Sequence, residues 1–209
     1  MGVVIAIDGP AGSGKSTIAR AVASRLGFDY LDTGAMYRAV AFAVLARQVD
    51  PGDPEGVAAV AHDVRIDLGP PVLVDDIDAT LAIRGTEVTG LVSLVAAQPE
   101  VRAEMVRRQR ALVASMAGVV VEGRDITTVV FPDAEVKVFL TASEEERAGR
   151  RALQTAQPDV VTVAGELARR DRSDSTREVS PLRVAHSAVV VDTTTSSIDE
   201  VVEKVLSLL

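Results

Sequence analysis

Eight residues near the N-terminus constrain this chain more than any other feature. Gly9-Pro10-Ala11-Gly12-Ser13-Gly14-Lys15-Ser16 satisfies G-x-x-x-x-G-K-[ST]; the apolar run Val3-Val4-Ile5-Ala6-Ile7 precedes it, and a helical stretch from Lys15 to Leu26, ended by Gly27, follows. In that strand–turn–helix setting the pattern forms a phosphate cradle. The glycines let consecutive N–H groups point inward and approach a phosphate chain, and the helix N-terminus adds partial positive charge. Lys15 is placed to reach the β- and γ-phosphates, and the Ser16 hydroxyl to ligate Mg²⁺. Gly9 to Gly14 line the nucleotide, with Thr17 as cap or packing residue. A glycine-rich turn that holds nothing is the alternative, and the flanking strand and helix count against it.

The rest of the chain alternates in the same manner. Tyr30-Leu31 reads as a short second strand and Gly34–Gln48 as a second helix. Val64–Ile83 differs in texture: Gly69-Pro70-Pro71, several aspartates and short apolar alternations (Val64, Ile66, Leu68; Val72, Val74; Leu81, Ile83) predict a small antiparallel insert near 64–90. Pro99–Met116 reads as a helix with Val101, Met105, Leu112 and Met116 on one stripe. Val119–Val121 and, but for Lys137, Val136–Leu140 are apolar strands, as in a parallel sheet covered on both faces, and Ala188–Val191 reads as the final strand. Ser143 to Glu146 and Ser197 to Glu200 are capping boxes opening two helices, and the polar Gln154–Val163, containing Pro158, reads as a mobile loop. The pattern predicts a single α/β domain over 1–209, a doubly wound parallel sheet of five strands with one small antiparallel insert.

Composition narrows the function classes. A chain of 209 residues can bury roughly 70% of its unfolded surface in one domain. With no cysteine it fits a reducing compartment and excludes thiol catalysis and cysteine-based zinc sites. A net charge of −8 excludes a diffuse basic coat for nucleic acid, and no apolar run approaches the ~20 residues of a membrane span. The N-terminus has no basic n-region and Ala6 spoils a myristoylation pattern, so a cytoplasmic protein is expected, without nucleic-acid or membrane partners. Yet of 22 basic residues only Lys15, Lys137 and Lys204 are lysines; 19 are arginines. They cluster at Arg102, Arg107, Arg108 and Arg110, at Arg147, Arg150 and Arg151, and at Arg169, Arg170, Arg172, Arg177 and Arg183. Any one of them fits a solvated helix face; together, in an acidic chain, these planar forks point to a small polyanionic ligand. His62 and His186 stand singly, without metal-ligand spacing.

A phosphate cradle alone serves switches, motors and kinases. The chain has no asparagine, so it lacks the guanine-reading Asn-Lys-x-Asp of a GTP switch, and 209 residues leave little room for the extra domains of a motor. A small phosphotransferase remains, with the other arginines supplying an acceptor pocket.

Beyond the cradle, the blocks Leu31-Asp32-Thr33-Gly34-Ala35-Met36-Tyr37-Arg38, Glu122-Gly123-Arg124-Asp125-Ile126 and Val129-Val130-Phe131-Pro132-Asp133-Ala134 resemble bacterial cytidylate kinases. So do Ala142-Ser143 with Glu146-Arg147-Ala148 and Arg150-Arg151, Arg170-Asp171 through Asp174 to Arg177, Ser180-Pro181-Leu182, and Val191-Asp192-Thr193. The resemblance runs nearly end to end. It implies a P-loop kinase fold that transfers the γ-phosphoryl group of ATP to CMP and dCMP. It also implies a nucleoside-monophosphate-binding region over about 34–102 and a mobile lid over about 147–170.

Carried over residue by residue, the family's cytosine contacts fall on Ser93, Arg102 and Asp125, and its ribose contacts on Arg170 and Asp174. Its acceptor-phosphate contacts fall on Arg38, Arg124 and Arg177, with Thr33 beside them. The residue types suit these roles. Cytosine's N4 amine wants Asp125 or Ser93, and its N3 and O2 acceptors want the Arg102 fork. Uracil reverses the pattern, and sites built on such hydrogen bonds reject the wrong partner by roughly 10⁴–10⁵. Taken alone, Arg102 and Ser93 read equally as surface residues of a helix, and Asp125 as an arginine partner or helix cap. Glu122 resembles a Walker-B acid holding Mg²⁺ through water, or else a partner of Arg124; Tyr37 and Met36 read as packing. The family usually has glycine where this chain has Thr127, so a reshaped turn is expected there.

The resemblance further implies in-line attack by a CMP phosphate oxygen on MgATP, with Lys15 and the lid arginines Arg147, Arg150 and Arg151 stabilising the transferred group. A monomer is expected. Two rivals stand beside this reading: a P-loop kinase for UMP, dTMP or a hydroxyl compound, and a module that holds ATP without transferring phosphate.

Overall fold

The computed structural model describes residues 2–155 and 159–209. The chain divides into two compact units, the residues up to Asp32 together with Leu112–Leu209, and Thr33–Ala111.

The first unit begins with β1 (Val3–Asp8), in which every residue after Val3 is buried. The phosphate turn leads into α1 (Lys15–Leu26), which Gly27 terminates at φ 65°, and then into β2 (Asp29–Asp32).

The second unit opens with α2 (Thr33–Ala46) and α3 (Pro54–Asp63). The periodicity had not marked α3, although its start is legible: Asp53 caps it, accepting from Glu55 N at 3.2 Å, and Pro54 stands at the first position. The predicted antiparallel insert is present as β3 (Ile66–Asp67), β4 (Leu73–Val74) and β5 (Ile77–Asp78), paired in that order. Its third strand is not the Leu81–Ile83 alternation. Asp75 and Asp76 adopt φ 50° and 67°, the two-residue hairpin geometry in which both central residues are left-handed, so the chain reverses at once and Ile77 pairs with Val74. Ala82–Arg84 is instead a single 3₁₀ turn with Ile83 buried and Leu81 exposed. The insert is therefore shorter than 64–90, and Thr86–Ala97 is a helix, α4.

α5 (Pro99–Val113) closes this stretch. Val101 and Met105 are buried as expected, but Leu112 is 44% exposed and the buried stripe continues through Gln109 to Val113. Periodicity allows either of two neighbouring stripes; the surrounding packing selects the one containing the glutamine. Arginines also serve this unit's architecture. Arg108 donates to the carbonyls of His62 and Val64, at 2.5 and 2.6 Å, capping the end of α3, and Arg47 reaches Asp75 at 2.6 Å.

Back in the first unit, β6 (Gly118–Gly123) runs into a π-helical turn, Ile126–Val130. Then come β7 (Val136–Thr141), α6 (Glu144–Thr155), α7 (Val160–Thr176), β8 (Val189–Asp192) and α8 (Ile198–Leu206). The five-stranded sheet has the order β2-β6-β1-β7-β8, and every pairing is parallel. Ile5, Ile7, Val120 and Val138 pack with Ile18 and Val22 of α1 and Val201, Val202 and Val205 of α8. Central parallel strands with helices over the sheet read as continuous apolar runs, which is why these were legible.

Ser197 and Glu200 form the complete capping box. At Ser143 only half forms: its Oγ accepts from Glu146 N at 3.2 Å, while the Glu146 carboxylate takes Arg150 at 2.9 Å. The predicted loop Gln154–Val163 is mostly helical where described. α6 continues to Thr155 and Asp159 caps α7, accepting from Val161 N and Thr162 N at 3.1 and 3.2 Å. The intervening 156–158, with Pro158, lie outside the described residues. Among the described residues no helix is long and apolar enough to cross a membrane.

Candidate active site

The carboxyl ends of the parallel strands carry the chemistry-bearing residues of the first unit, where open α/β sheets place their ligands. Gly9, after β1, has φ 151° and lies so close to β7 that a Cβ would stand 2.1 Å from the Leu140 carbonyl oxygen. Gly12 has φ 77°, and a Cβ there would meet the backbone of Arg147 in α6 at 2.7 Å. Glycine is the residue that fits both positions. Ser16 and Thr17 are exposed at the start of α1.

Lys15, half-buried, donates from Nζ to the Pro10 carbonyl at 2.7 Å. Burial and the nearby Arg124 lower its ammonium pKa to about 7; Arg170 pushes the same way, and Glu122 and Asp8 oppose them. Three cations thus converge at the phosphate turn, where the Glu122 and Asp8 carboxylates only partly offset their repulsion of Lys15. Such a place favours an anionic ligand.

Glu122, buried at the end of β6, accepts from the Tyr30 hydroxyl and from the Ser16 side chain. Its pKa is raised by burial and by Asp32, its partner in register on β2. Arg20 lies over the Tyr30 ring, 4.9 Å from its centroid. Arg124 is not the partner of Glu122: its Nε donates to Asp174 at 2.8 Å and its other bond goes to the Gly9 carbonyl. No group of three or more acidic, histidine or cysteine ligands occurs among the described residues. A hydroxyl and one carboxylate suit a magnesium ion whose remaining ligands are phosphates and water, and do not suit an all-protein cage.

Beside the cradle, Arg124, Asp125, Asp174 and Arg177 are brought together. Arg177 stands 3.7 Å from Asp125 and 3.9 Å from Asp174, and its Nε donates to the Ser180 carbonyl at 2.6 Å. Asp125 and Asp174 are buried, and Arg170 is half-buried four residues before Asp174 on α7. Thr127 shows no left-handed backbone; it lies buried in the π-helical turn, where its N–H and hydroxyl both donate to Asp8.

The three arginines of α6 differ from one another. Arg147 is buried, donating to the Ala11 carbonyl at 3.1 Å and to Asp171, which itself accepts from Ala11 N at 3.2 Å. Arg150 donates to the Thr193 hydroxyl and carbonyl at 2.9 and 2.7 Å. Arg151 is half-buried. Sequence alone assigns Asp171 and Thr193 no role, yet both touch the cradle: Asp171 accepts from Ala11 N, and the Thr193 hydroxyl donates to the Ser13 carbonyl at 3.2 Å. Their signal was only membership in matching blocks.

In the second unit Thr33 is buried at the start of α2, Arg38 is half-buried one turn later, and Ser93 is half-buried in α4. Arg102 is no surface residue: it is 2% exposed, donates to the Ala96 carbonyl at 3.0 Å and lies 5.2 Å from the centroid of the Tyr37 ring. Tyr37 and Met36 are both buried, as packing residues would be.

A family model for cytidylate kinase matches residues 5–209. The chain is 51% identical over 215 residues to a cytidylate kinase of Geobacillus kaustophilus, covering 99% of this chain and 96% of that protein. It is 47% identical over 212 residues to one of Streptomyces avermitilis, covering 99% and 92%. Among solved structures it is similar to a shikimate kinase from Acinetobacter baumannii, with a TM-score of 0.52 and 16% identity over 100% of this chain and 93% of that one. At that identity the likeness concerns the fold.

Proposed function

The chain belongs to the cytidylate kinase family, whose members phosphorylate CMP with a nucleotide donor, and from that premise we propose that it uses ATP, accepts both CMP and dCMP, and transfers by direct in-line attack. The observation that carries this reading is the crowding of Lys15 by Arg124 and Arg170, with Asp125 and Asp174 held by the neighbouring arginines. A site where cations crowd together beside two oriented acids accommodates two anionic phosphates and a base with an exocyclic amine.

Gly9 to Thr17 bind the ATP phosphates, with Lys15 on the β- and γ-oxygens. Ser16 would hold Mg²⁺ directly, with Glu122 through water, and the charge such an ion supplies would offset that of the phosphate oxygens during attack. Arg38, Arg124 and Arg177, with Thr33, bind the acceptor phosphate; Arg170 and Asp174 hold the ribose; Ser93, Arg102 and Asp125 read the cytosine. Arg150 and Arg151 neutralise the transferred group. Arg147, buried against Ala11, acts from the same region by holding the cradle. No side-chain base is needed, because the acceptor phosphate is already anionic. The region 34–102 serves as acceptor-binding segment and 147–170 as lid, in a cytoplasmic monomer.

The test is ADP production from MgATP with CMP, dCMP, UMP, AMP, GMP and dTMP in parallel, with Asp125→Ala alongside. Turnover confined to CMP and dCMP, and broadened or lost in the variant, is expected. Turnover with a different acceptor alone would overturn the pocket assignment, and ATP binding without acceptor-dependent turnover would overturn the reaction.

A further inference from the structure

The turn that follows β6 is fastened to the end of β1 by a contact the reaction above does not use. Asp8, the last residue of β1, has no exposed surface. Its Oδ1 accepts from Ile126 N at 2.9 Å, and its Oδ2 accepts from Thr127 N at 2.7 Å and from the Thr127 hydroxyl at 2.6 Å. A second tie runs the other way, from the Arg124 guanidinium to the Gly9 carbonyl. Asp125 stands between the two ties, and its own carbonyl accepts from Val129 N and Val130 N at 2.9 and 3.2 Å. Asp8 and Gly9 lead directly into the phosphate cradle, so the same few residues touch both halves of the site.

We propose that Asp8 and Thr127 form a positioning pair that aims the Asp125 carboxylate at the acceptor base and ties that aim to the phosphate-binding loop. This rests on Asp125 reading the base. A buried carboxylate is stable only with its oxygens satisfied, and the Thr127 hydroxyl is one of three donors Asp8 has here. A glycine, the residue expected at 127, would supply the N–H and omit the hydroxyl. Without it Asp8 is held to the turn by two backbone N–H groups alone, and a displacement of about 1 Å at a reacting group can cost about 10²-fold.

The experiment compares Thr127→Val, Thr127→Ser and Asp125→Ala, reading KM for CMP, KM for ATP, kcat and the CMP-over-UMP ratio of kcat/KM, with melting temperature as a fold control. Thr127→Val should raise KM for CMP by about tenfold and erode the preference over UMP, with KM for ATP within about twofold. Thr127→Ser, which keeps the hydroxyl, should restore both. In an Asp125→Ala background the valine should add nothing. A purely structural role would lower the melting temperature and move both KM values together, which overturns the proposal. So does a folded Thr127→Val enzyme with unchanged CMP parameters while Asp125→Ala loses selectivity. If Asp125→Ala keeps its CMP preference, the base-reading role falls first and the pair's function with it, by a separate arm. Should the valine variant not fold, Thr127→Ala, with room for a water at Asp8, is read the same way with a smaller amplitude.

Discussion

Arginine does different work in the two units. In Thr33–Ala111 two arginines of α5 serve the architecture: Arg108 caps α3, and Arg107 and Arg108 clamp Glu104 at 2.7 and 2.6 Å. That clamp holds the Glu104 carboxyl down at about 2. In the first unit Lys15, Arg124 and Arg170 crowd one another, and the lowered Lys15 pKa records the repulsion. A count of arginines therefore says little about ligand charge. What distinguishes the two sets is how their cations stand to one another: Arg107 and Arg108 share one carboxylate and two helix-end carbonyls, whereas Arg124 and Arg170 press on Lys15.

The largest break in this comparison should come from Lys15→Ala. Its kcat in ADP release is expected to fall by about 10³ or more, because a preorganised charge at the transferring phosphate is lost. Arg151→Ala should lower kcat by about 10²–10³ with a much smaller change in KM for CMP; an unchanged kcat would remove Arg151 from the mechanism. Arg108→Ala should behave as its position in the other unit dictates. It leaves two carbonyls without their cap, so a loss of about 1–3 kcal/mol is expected, visible as a melting temperature lower by several degrees with kcat nearly intact.

A pH measurement sharpens the contrast from the binding side. The Lys15 ammonium pKa is lowered to about 7, against an ordinary 10.5. The native state therefore holds fewer protons than the unfolded chain between those values. The cost of this site to stability is full below pH 7 and is relieved as pH rises toward 10.5. A polyphosphate beside Lys15 restores its proton, so ATP binding at pH 8 should take up close to one proton, and far less at pH 6. Calorimetry in two buffers of different ionisation enthalpy reads this, and Lys15→Arg, which keeps its charge, should abolish it. The smallest effect belongs to Arg107→Ala, an exposed i,i+3 pair screened by solvent, where a barely changed melting temperature and an unchanged kcat are expected. A large kinetic loss at Arg107 would undo the distinction between the two clusters.

Legibility followed the range of the interactions. The cradle was readable because its residues are consecutive and act through their own backbone. The buried strands were readable because strands covered on both faces are apolar throughout. α4 was hidden by its composition: Thr86, Val88, Thr89, Val92 and Val95 are β-branched, and Gly90 interrupts them, yet packing makes Thr86–Ala97 a helix. α3 had a capping signal at Asp53-Pro54 that was there to be read. β5 was misplaced because apolar alternation continued past the turn that two left-handed aspartates impose.

By itself the sequence determined the succession of elements: a P-loop on an apolar strand, an α/β chain of five parallel strands, and a family in which CMP is phosphorylated. The tertiary structure alone decided which arginines cap helices and which crowd Lys15, that Gln109 is buried in place of Leu112, and that Asp8 finds its donors at Ile126 and Thr127, 118 and 119 residues away. The physical reason is the reach of each interaction. Turn geometry and periodicity are set by neighbours along the chain, whereas the neutralisation of a charge and the burial of a polar group depend on whatever the fold brings beside it.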